Sequence, residues 1–456
     1  MQFKLRLDEG YKPAYLFVRD FLYDVDQSGK GQQLKIALER NNGYTYVYET
    51  RVFEDGYKDE LNTFYVERII KSLLWVVGGF RIYIYGSKHV YEQIKEIYKI
   101  NGTRHFDVDF MQKIYEHEFE VILCDETNFP EAKECSLSVG RNLDGCRIGF
   151  DAGGSDVKVS AVVNGESIFS EEIVWLPKLN SDPQYHYERI KAAMLLAASK
   201  MERVDAVGIS SAGIYVDNKI MVASLFIKVE ENDFNQHVKN MYIDIVKECF
   251  GDVPLEVAND GDVTALAGAM DLNDNQILGI AMGTSEAVGY IDEAGNIKGW
   301  LNELAFAPVD YNVDTIVDEW SGDYGVGCKY FSQDAVVKLA PRAGIELDEN
   351  LTLAEKLKVV QKLMNEDDPR AIEVFSTIGV YLGYTLAYYS LFYDIKHLML
   401  LGRVSSGKGG DLIIAKAKEV LNAEFKHLAN INLFMPDEKA RRVGQSIAAA
   451  SLPKTK

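Results

Sequence analysis

The sequence predicts an α/β protein built in more than one part. Three observations predict it. The chain has 456 residues, too many for a single hydrophobic core. The N-terminal part, 1–139, mixes aromatic, β-branched strand segments with helical ones. From Cys146 onward strands and helices alternate again, separated by glycine-containing turns.

In the first part, 44–53 is rich in β-branched and aromatic residues and lacks Gly and Pro, so it reads as a strand. Asp59 can open a helix over about 60–75. Residues 81–85 read as a strand, a helix starts near Lys88, and 119–124 read as another strand. A polar linker covers 125–134. The aromatics around Tyr44, Tyr46 and Tyr48 could line a sugar-binding face, although alternating aromatics in a strand are more often sheet packing.

In the second part, 147–151 and 157–163 form a hairpin through Gly153-Gly154, and 167–175 add a third strand. A helix over 185–200 and strands at 206–210 and 254–258 follow, with a helix starting at Gly261. Strands 276–282 and 287–291 flank a turn, and 314–393 are rich in helix. Strand 397–401 and a helix from about Asp411 close the pattern. The most apolar stretch, 380–401, is interrupted by Asp394, Lys396 and His397. It reads as a buried helix and strand rather than a membrane span.

Charge narrows the function. The formal net charge is −20, from 49 basic and 69 acidic residues. Residues 1–139 are net −5 and the remainder net −15, so neither part has the basic excess that phosphate backbones or anionic membranes attract. The five cysteines (Cys124, Cys135, Cys146, Cys249 and Cys328) are scattered, with no C-x-x-C pair. That argues against a disulfide framework or a structural zinc site. The start, Met1-Gln-Phe-Lys-Leu-Arg-Leu-Asp-Glu, has no apolar signal core. A cytoplasmic setting is expected.

Four segments carry chemistry. In Gly149-Phe-Asp151-Ala-Gly153-Gly154-Ser155, a carboxylate ends a strand just before a Gly-Gly turn. Such a turn lets backbone N–H groups approach phosphate oxygens, Ser155 adds a hydroxyl, and Asp151 could hold Mg²⁺ directly or through water. In Val257-Ala-Asn259-Asp260-Gly261, a buried strand ends in Asn-Asp where a helix begins. Open α/β folds place ligands at such ends, and a carboxylate held there can take a proton from a hydroxyl. Met282-Gly283-Thr284-Ser285 turns between two strands and could cradle a second phosphate. Leu401-Gly402-Arg403 ends a strand in a loop that could pack on an adenine ring. Taken singly, the first reads better as an ordinary hairpin and the second as a helix cap, the third is equally an ordinary hairpin, and the fourth is a weak signal.

Their order is more specific than any one of them. Two phosphate-type hairpins, an acid between them and a late glycine loop is the layout of the actin, heat-shock-70 and hexokinase superfamily. Within it, residues 146–450 resemble the ROK family of repressors, open reading frames and sugar kinases. Val207-Gly-Ile-Ser-Ser-Ala-Gly213, Asn302-Glu303-Leu304-Ala305-Phe306 and Gly327-Cys328-Lys329-Tyr330-Phe331-Ser332 are similar to further family segments. The resemblance implies a two-lobed actin-like (ribonuclease-H-like) ATPase core. Its lobes would be 146–270 and 271–456, the second holding the adenosine-side loop and a C-terminal helix, preceded by a separate α+β domain at 1–139. It implies Asp260 as catalytic base, with Asn259, Asp260 and Glu303 binding substrate hydroxyls. Gly153, Gly154, Ser155, Gly283 and Thr284 would hold ATP phosphates, with Asp151 toward Mg²⁺ and Gly402 near adenosine. The implied activity is ATP- and Mg²⁺-dependent phosphorylation of a sugar or sugar derivative. The alternative is a sugar-binding sensor or regulator with weak transfer. A homodimer is common in the family.

The chain departs from the family pattern at four places. The zinc-motif histidine is Phe306 and only Cys328 of the cysteines remains, so no zinc is expected. A substrate-binding Glu near Cys328 is Tyr330. The usual Thr-Lys of the first turn is Ser155-Asp156. The second turn carries Glu286, and because a carboxylate aimed at a triphosphate would repel it, Glu286 is expected to face solvent. The strand-rich, acidic N-terminal part shows no pair of DNA-reading helices, which disfavours a repressor.

Overall fold

The structure is a computed structural model that describes residues 1–134, 139–154, 156–436 and 438–455, with backbone alone at 438–443. The chain forms two compact units. One contains residues 1–135, 280–288 and 300–435; the other contains 136–279, 289–299 and 436–456. Among the described residues no helix is long and apolar enough to cross a membrane.

The first unit opens with helix α1 (Ala14–Ser28), strands β1 (Gly31–Glu39) and β2 (Thr45–Phe53), and helix α2 (Asp59–Val76). Strand β3 (Arg81–Tyr85), helices α3 (Lys88–Ile97) and α4 (His105–Tyr115) and strand β4 (Glu120–Cys124) follow. The sheet order is β2-β1-β3-β4, with β1 antiparallel to both neighbours and β3 parallel to β4. Leu34, Ile36 and Leu38 alternate onto the buried face, opposite Thr50, Tyr48 and Tyr46 of β2. Helix α2 is interior, with Tyr65 to Val76 almost wholly buried. Tyr46 meets Trp300 at 5.5 Å between ring centroids and Tyr48 meets Phe392 at 6.1 Å. The half-buried Tyr46 and Tyr48 therefore pack residues 1–135 against 300–435.

The second unit begins with β5 (Cys146–Ala152), β6 (Asp156–Val163), β7 (Glu166–Val174), α5 (Pro183–Ala198) and β8 (Ala206–Ser211). The hairpin strands β9 (Ile214–Val216) and β10 (Lys219–Val222), the one-turn α6 (Glu231–Asp233), α7 (Met241–Phe250), β11 (Leu255–Asn259) and α8 (Asp260–Leu272) follow. Its sheet runs β11-β8-β5-β6-β7, with β11, β8 and β5 mutually parallel. Ile148, Phe150, Val207 and Ile209 point to a core shared with α5 and α7. The alternate positions carry Gly149 and Gly208, because a Cβ there would lie 2.2 Å from the carbonyl oxygen of Ser446 and 1.8 Å from that of Ala449. Both carbonyls belong to α13 (Glu438–Ala450), which lies directly on these strands.

Strands β12 (Ile277–Met282) and β13 (Glu286–Ile291) each carry a unit boundary within them. Helices α9 (Gln333–Arg342), α10 (Leu353–Asn365) and α11 (Pro369–Tyr389), strand β14 (His397–Leu401), helix α12 (Lys408–Glu424) and strand β15 (Asn432–Phe434) complete the first unit. The sheet order is β13-β12-β14-β15. Residues 314–332, expected to open a helix-rich stretch, contain only the single-turn 3₁₀ segment Gly327–Lys329, and regular helix begins at Gln333.

Candidate active site

In the second unit, the carboxyl ends of β5, β8 and β11 bring Asp151, Ser210, Ser211, Asn259 and Asp260 to one edge of the sheet. Register pairs Asp151 with Ser210, and Ser211 with Asn259. Ser210 Oγ donates to Asp151 Oδ1 at 2.7 Å, and Gln445 Nε2 approaches the same oxygen at 3.5 Å. Burial pushes the Asp151 carboxyl up to about 6, and the charge of Asp260 adds to the rise, while the Ser210 bond opposes it. A half-buried carboxylate beside a second one fits a divalent cation that arrives with phosphates, since Mg²⁺ is usually held by one or two carboxylates. Among the described residues no group of three or more His, Cys, Asp and Glu could hold a metal alone.

Asn259 and Asp260 divide their work. Asn259 is the N-cap of α8: its Oδ1 accepts from Gly261 N–H at 2.7 Å and its Nδ2 donates to Gly213 O at 2.7 Å. Capping thus falls to Asn259, and its amide is largely committed to the backbone. Asp260 is the first helical residue, with one acceptor contact from Gly261 N–H at 3.1 Å, and burial raises its pKa. Asp262, in the same helical turn, is a structural carboxylate that accepts from Tyr290 N–H at 3.1 Å.

The first turn is tighter than a bare phosphate cradle. Gly153 N–H donates to Asp156 O at 2.9 Å, and its carbonyl accepts from Trp175 Nε1 at 2.9 Å. A Cβ at Gly154 would stand 3.6 Å from Lys178 Nζ, which puts a cation beside the turn. Sequence reasoning missed Lys178, because the whole of β6 and β7 separates it from Gly154 and no periodic signal links them. Ser155 lies outside the described residues.

In the first unit, Gly283 N–H donates to Ser285 O at 3.0 Å, and its carbonyl accepts from Gln333 N–H at 2.9 Å, which ties the turn to α9. Thr284 and Ser285 lie at the surface. Glu286 does not face solvent as expected. It is 4% exposed, its carboxylate packs against Gly327, and burial together with the Glu303 charge pushes it up to about 8. Strand alternation explains this: Thr284 and Ser285 make the turn, and the first residue of β13 points inward. Gly402 has φ 96°, and a Cβ there would meet Met282 O at 2.3 Å, so the loop after β14 lies directly on β12. A shallow concavity beside it is lined by Gln361, Met364, Asn365, Ser406, Gly407 and Gly409.

Glu303 follows Asn302, which sits at φ 52° and accepts from Tyr393 Oη at 2.9 Å. Phe306 packs on Trp75 at 4.5 Å between centroids. Tyr330 is wholly buried, donating to Asp310 Oδ2 at 2.6 Å, so its hydroxyl is engaged in the core.

No family model matches the chain, and no curated protein matches it. Solved structures do. A ROK family transcriptional regulator, a homolog of the E. coli MLC protein, is 15% identical, with 68% of this chain and 79% of that one covered and a TM-score of 0.53. A ROK family glucokinase from Streptomyces griseus, solved with glucose and AMPPNP, is 21% identical over 67% of this chain and 99% of that one, with a TM-score of 0.48. A ROK hexokinase from Thermus thermophilus is 16% identical over 67% and 97%, also with a TM-score of 0.48. The chain is an α/β protein of the actin-like ATPase fold. The likeness to the regulator shows this to be the form of that fold found in ROK proteins.

Proposed function

We propose that this protein is a divergent ROK-type kinase that uses ATP and Mg²⁺ to phosphorylate a hydroxyl of a sugar or sugar derivative. The observation that carries the reading is the pairing at the end of β11. Asn259 caps α8, which leaves Asp260 as a half-buried carboxyl at the end of a parallel strand, with its pKa raised by burial. In the reaction the acceptor oxygen bonds to the γ-phosphorus, its proton passes to an Asp260 oxygen, and the bond from phosphorus to the ADP oxygen breaks. Mg²⁺, when bound, neutralises charge on the transferring phosphoryl group. Asp151, Gly154 and Lys178 would serve the phosphates, as would Gly283 and Thr284. Glu303 would accept from a substrate hydroxyl, and Gly402 would lie near adenosine.

The base must be ionised to act. Burial raises the pKa of Asp260 and lifts that of Asp151 to about 6, so activity should fall as pH drops through about 6. The test is ADP release with Mg²⁺-ATP against hexoses, amino sugars and their derivatives, run beside Asp260→Asn. One compound should stimulate release, and the variant should lose about 10² to 10⁴ of the rate while still binding that compound. Equal stimulation in both proteins would remove Asp260 from the role.

A second reading, a sugar-binding sensor with little transfer, is favoured by Tyr330, whose hydroxyl is tied to Asp310 where the family pattern has an acceptor carboxylate. Sugar binding without ATP turnover across the panel would favour it.

A further inference from the structure

The loop that carries Glu303 completes the C-terminal end of α2. A helix leaves its last four carbonyls without intrahelical partners. Here three of them are met by consecutive amides running the opposite way. Glu303 N–H donates to Trp75 O at 2.9 Å, Asn302 N–H to Val76 O at 3.0 Å and Leu301 N–H to Val77 O at 3.3 Å. The helix can end there because Gly78 follows at φ 85°, where a Cβ would collide with Tyr115 Oη.

Side chains reinforce the junction. The Trp75 ring packs on Phe306, in the 3₁₀ turn that follows Glu303, and its Nε1 donates to Asp107 Oδ1 at 2.7 Å. Phe106 and Phe110 of α4 enclose Phe306 further, at 5.6 and 6.3 Å between centroids. One to two turns earlier on α2, Arg68 pairs with Asp323 at 3.2 Å, and Arg104 reaches the same carboxylate at 2.7 Å. The helix therefore holds the 301–306 segment through its end and the 318–324 segment through its flank.

We propose that α2, within the N-terminal segment 1–135, is the positioning element for the acceptor-binding loop, with Trp75 setting the backbone place of Glu303. This rests on Glu303 serving the acceptor, as proposed above. It gives the N-terminal segment a part in substrate recognition that acts through Glu303, with no contact of its own to substrate. Three consecutive bonds fix the backbone from which the Glu303 side chain projects before the acceptor arrives, and misplacing that backbone weakens acceptor binding more than nucleotide binding.

The test compares Trp75→Ala, Phe306→Ala and the conservative Trp75→Phe with the parent chain. Phe306→Ala is included because its half-buried ring is cheaper to remove than Trp75, should Trp75→Ala fail to fold. Hydrogen exchange at the amides of 301–303 should quicken about tenfold in the alanine variants and stay near the parent rate in Trp75→Phe. With the sugar that the ADP-release panel identifies, the acceptor KM should rise about tenfold while the KM for Mg²⁺-ATP holds. Unchanged exchange at 301–303, or equal rises in both KM values, would overturn the proposal. If no sugar supports turnover, the kinase reading fails and the exchange measurement alone decides the clamp: quickening confined to this loop sustains it, and unchanged exchange overturns it.

Discussion

Glu286 shows how a single side chain can look functional in sequence and act otherwise in the fold. It follows a phosphate-type turn, yet both its oxygens are buried without a hydrogen-bond partner. Burial, and then the charge of Glu303, pushes its pKa up to about 8, so it is held as the acid at neutral pH and ionises on unfolding. With the folded value above the unfolded one, the folded chain binds the extra proton. Its contribution is complete below the ordinary carboxylate range and is lost as pH rises toward 8. Glu286→Gln keeps the shape and removes the ionisation. It should stabilise the protein by about 3 kcal/mol at pH 7 and make little difference near pH 4. Thermal melts at the two pH values check this, and an equal effect at both would contradict the assignment.

Among elements, α2 carries the densest set of commitments. Arg68, Lys71 and Arg104 face Glu67, Asp107 and Asp323 in one buried network, with Arg68 and Lys71 fully enclosed. Three charges of each sign leave it neutral, and the network links α2 and α4 to the 318–324 loop. Removing one cation leaves buried carboxylates uncompensated. Arg68→Met should therefore cost about 3–5 kcal/mol, measured by denaturant unfolding. A loss under about 1 kcal/mol would mean that water reaches these carboxylates. The sequence presents the same helix only as an apolar run after Asp59. The preceding strand β1 escaped that reading, although Asn42 and Gly43, both at positive φ, mark the β1–β2 hairpin that pairs it with β2.

For the whole molecule, charge bears on the fold comparison. The fold is shared with a transcriptional regulator, yet the chain is net −20 and its N-terminal part, 1–139, is net −5. The N-terminal elements are a four-stranded sheet with helices, and α2, the longest of those helices, is buried from Tyr65 to Val76, with the acidic Asp59 and Glu60 in its first turn. Phosphate contacts supply most non-specific affinity, and an acidic surface repels them. No gel shift with mixed duplex DNA at about 0.1 M salt is expected. A shift that weakens steeply with added salt would reveal a basic surface and reopen the regulator reading.

The sequence by itself determined the alternation of strands and helices from Cys146 onward, the order of the two glycine turns and the place of Asp260 at a strand end. These are local properties: residue periodicity, turn chemistry and cap residues act within a few positions of the chain. It also determined the family resemblance, because the motifs are short and ordered. Only the tertiary structure decided that Asn259 rather than Asp260 caps α8, that Glu286 turns inward, and that Tyr330 spends its hydroxyl on Asp310. It alone joined residues 1–135 to 300–435 and set Glu303 on the end of α2. Those outcomes depend on contacts between residues far apart in the chain, or on which face of a strand meets the core, and neither leaves a periodic trace in the order of residues.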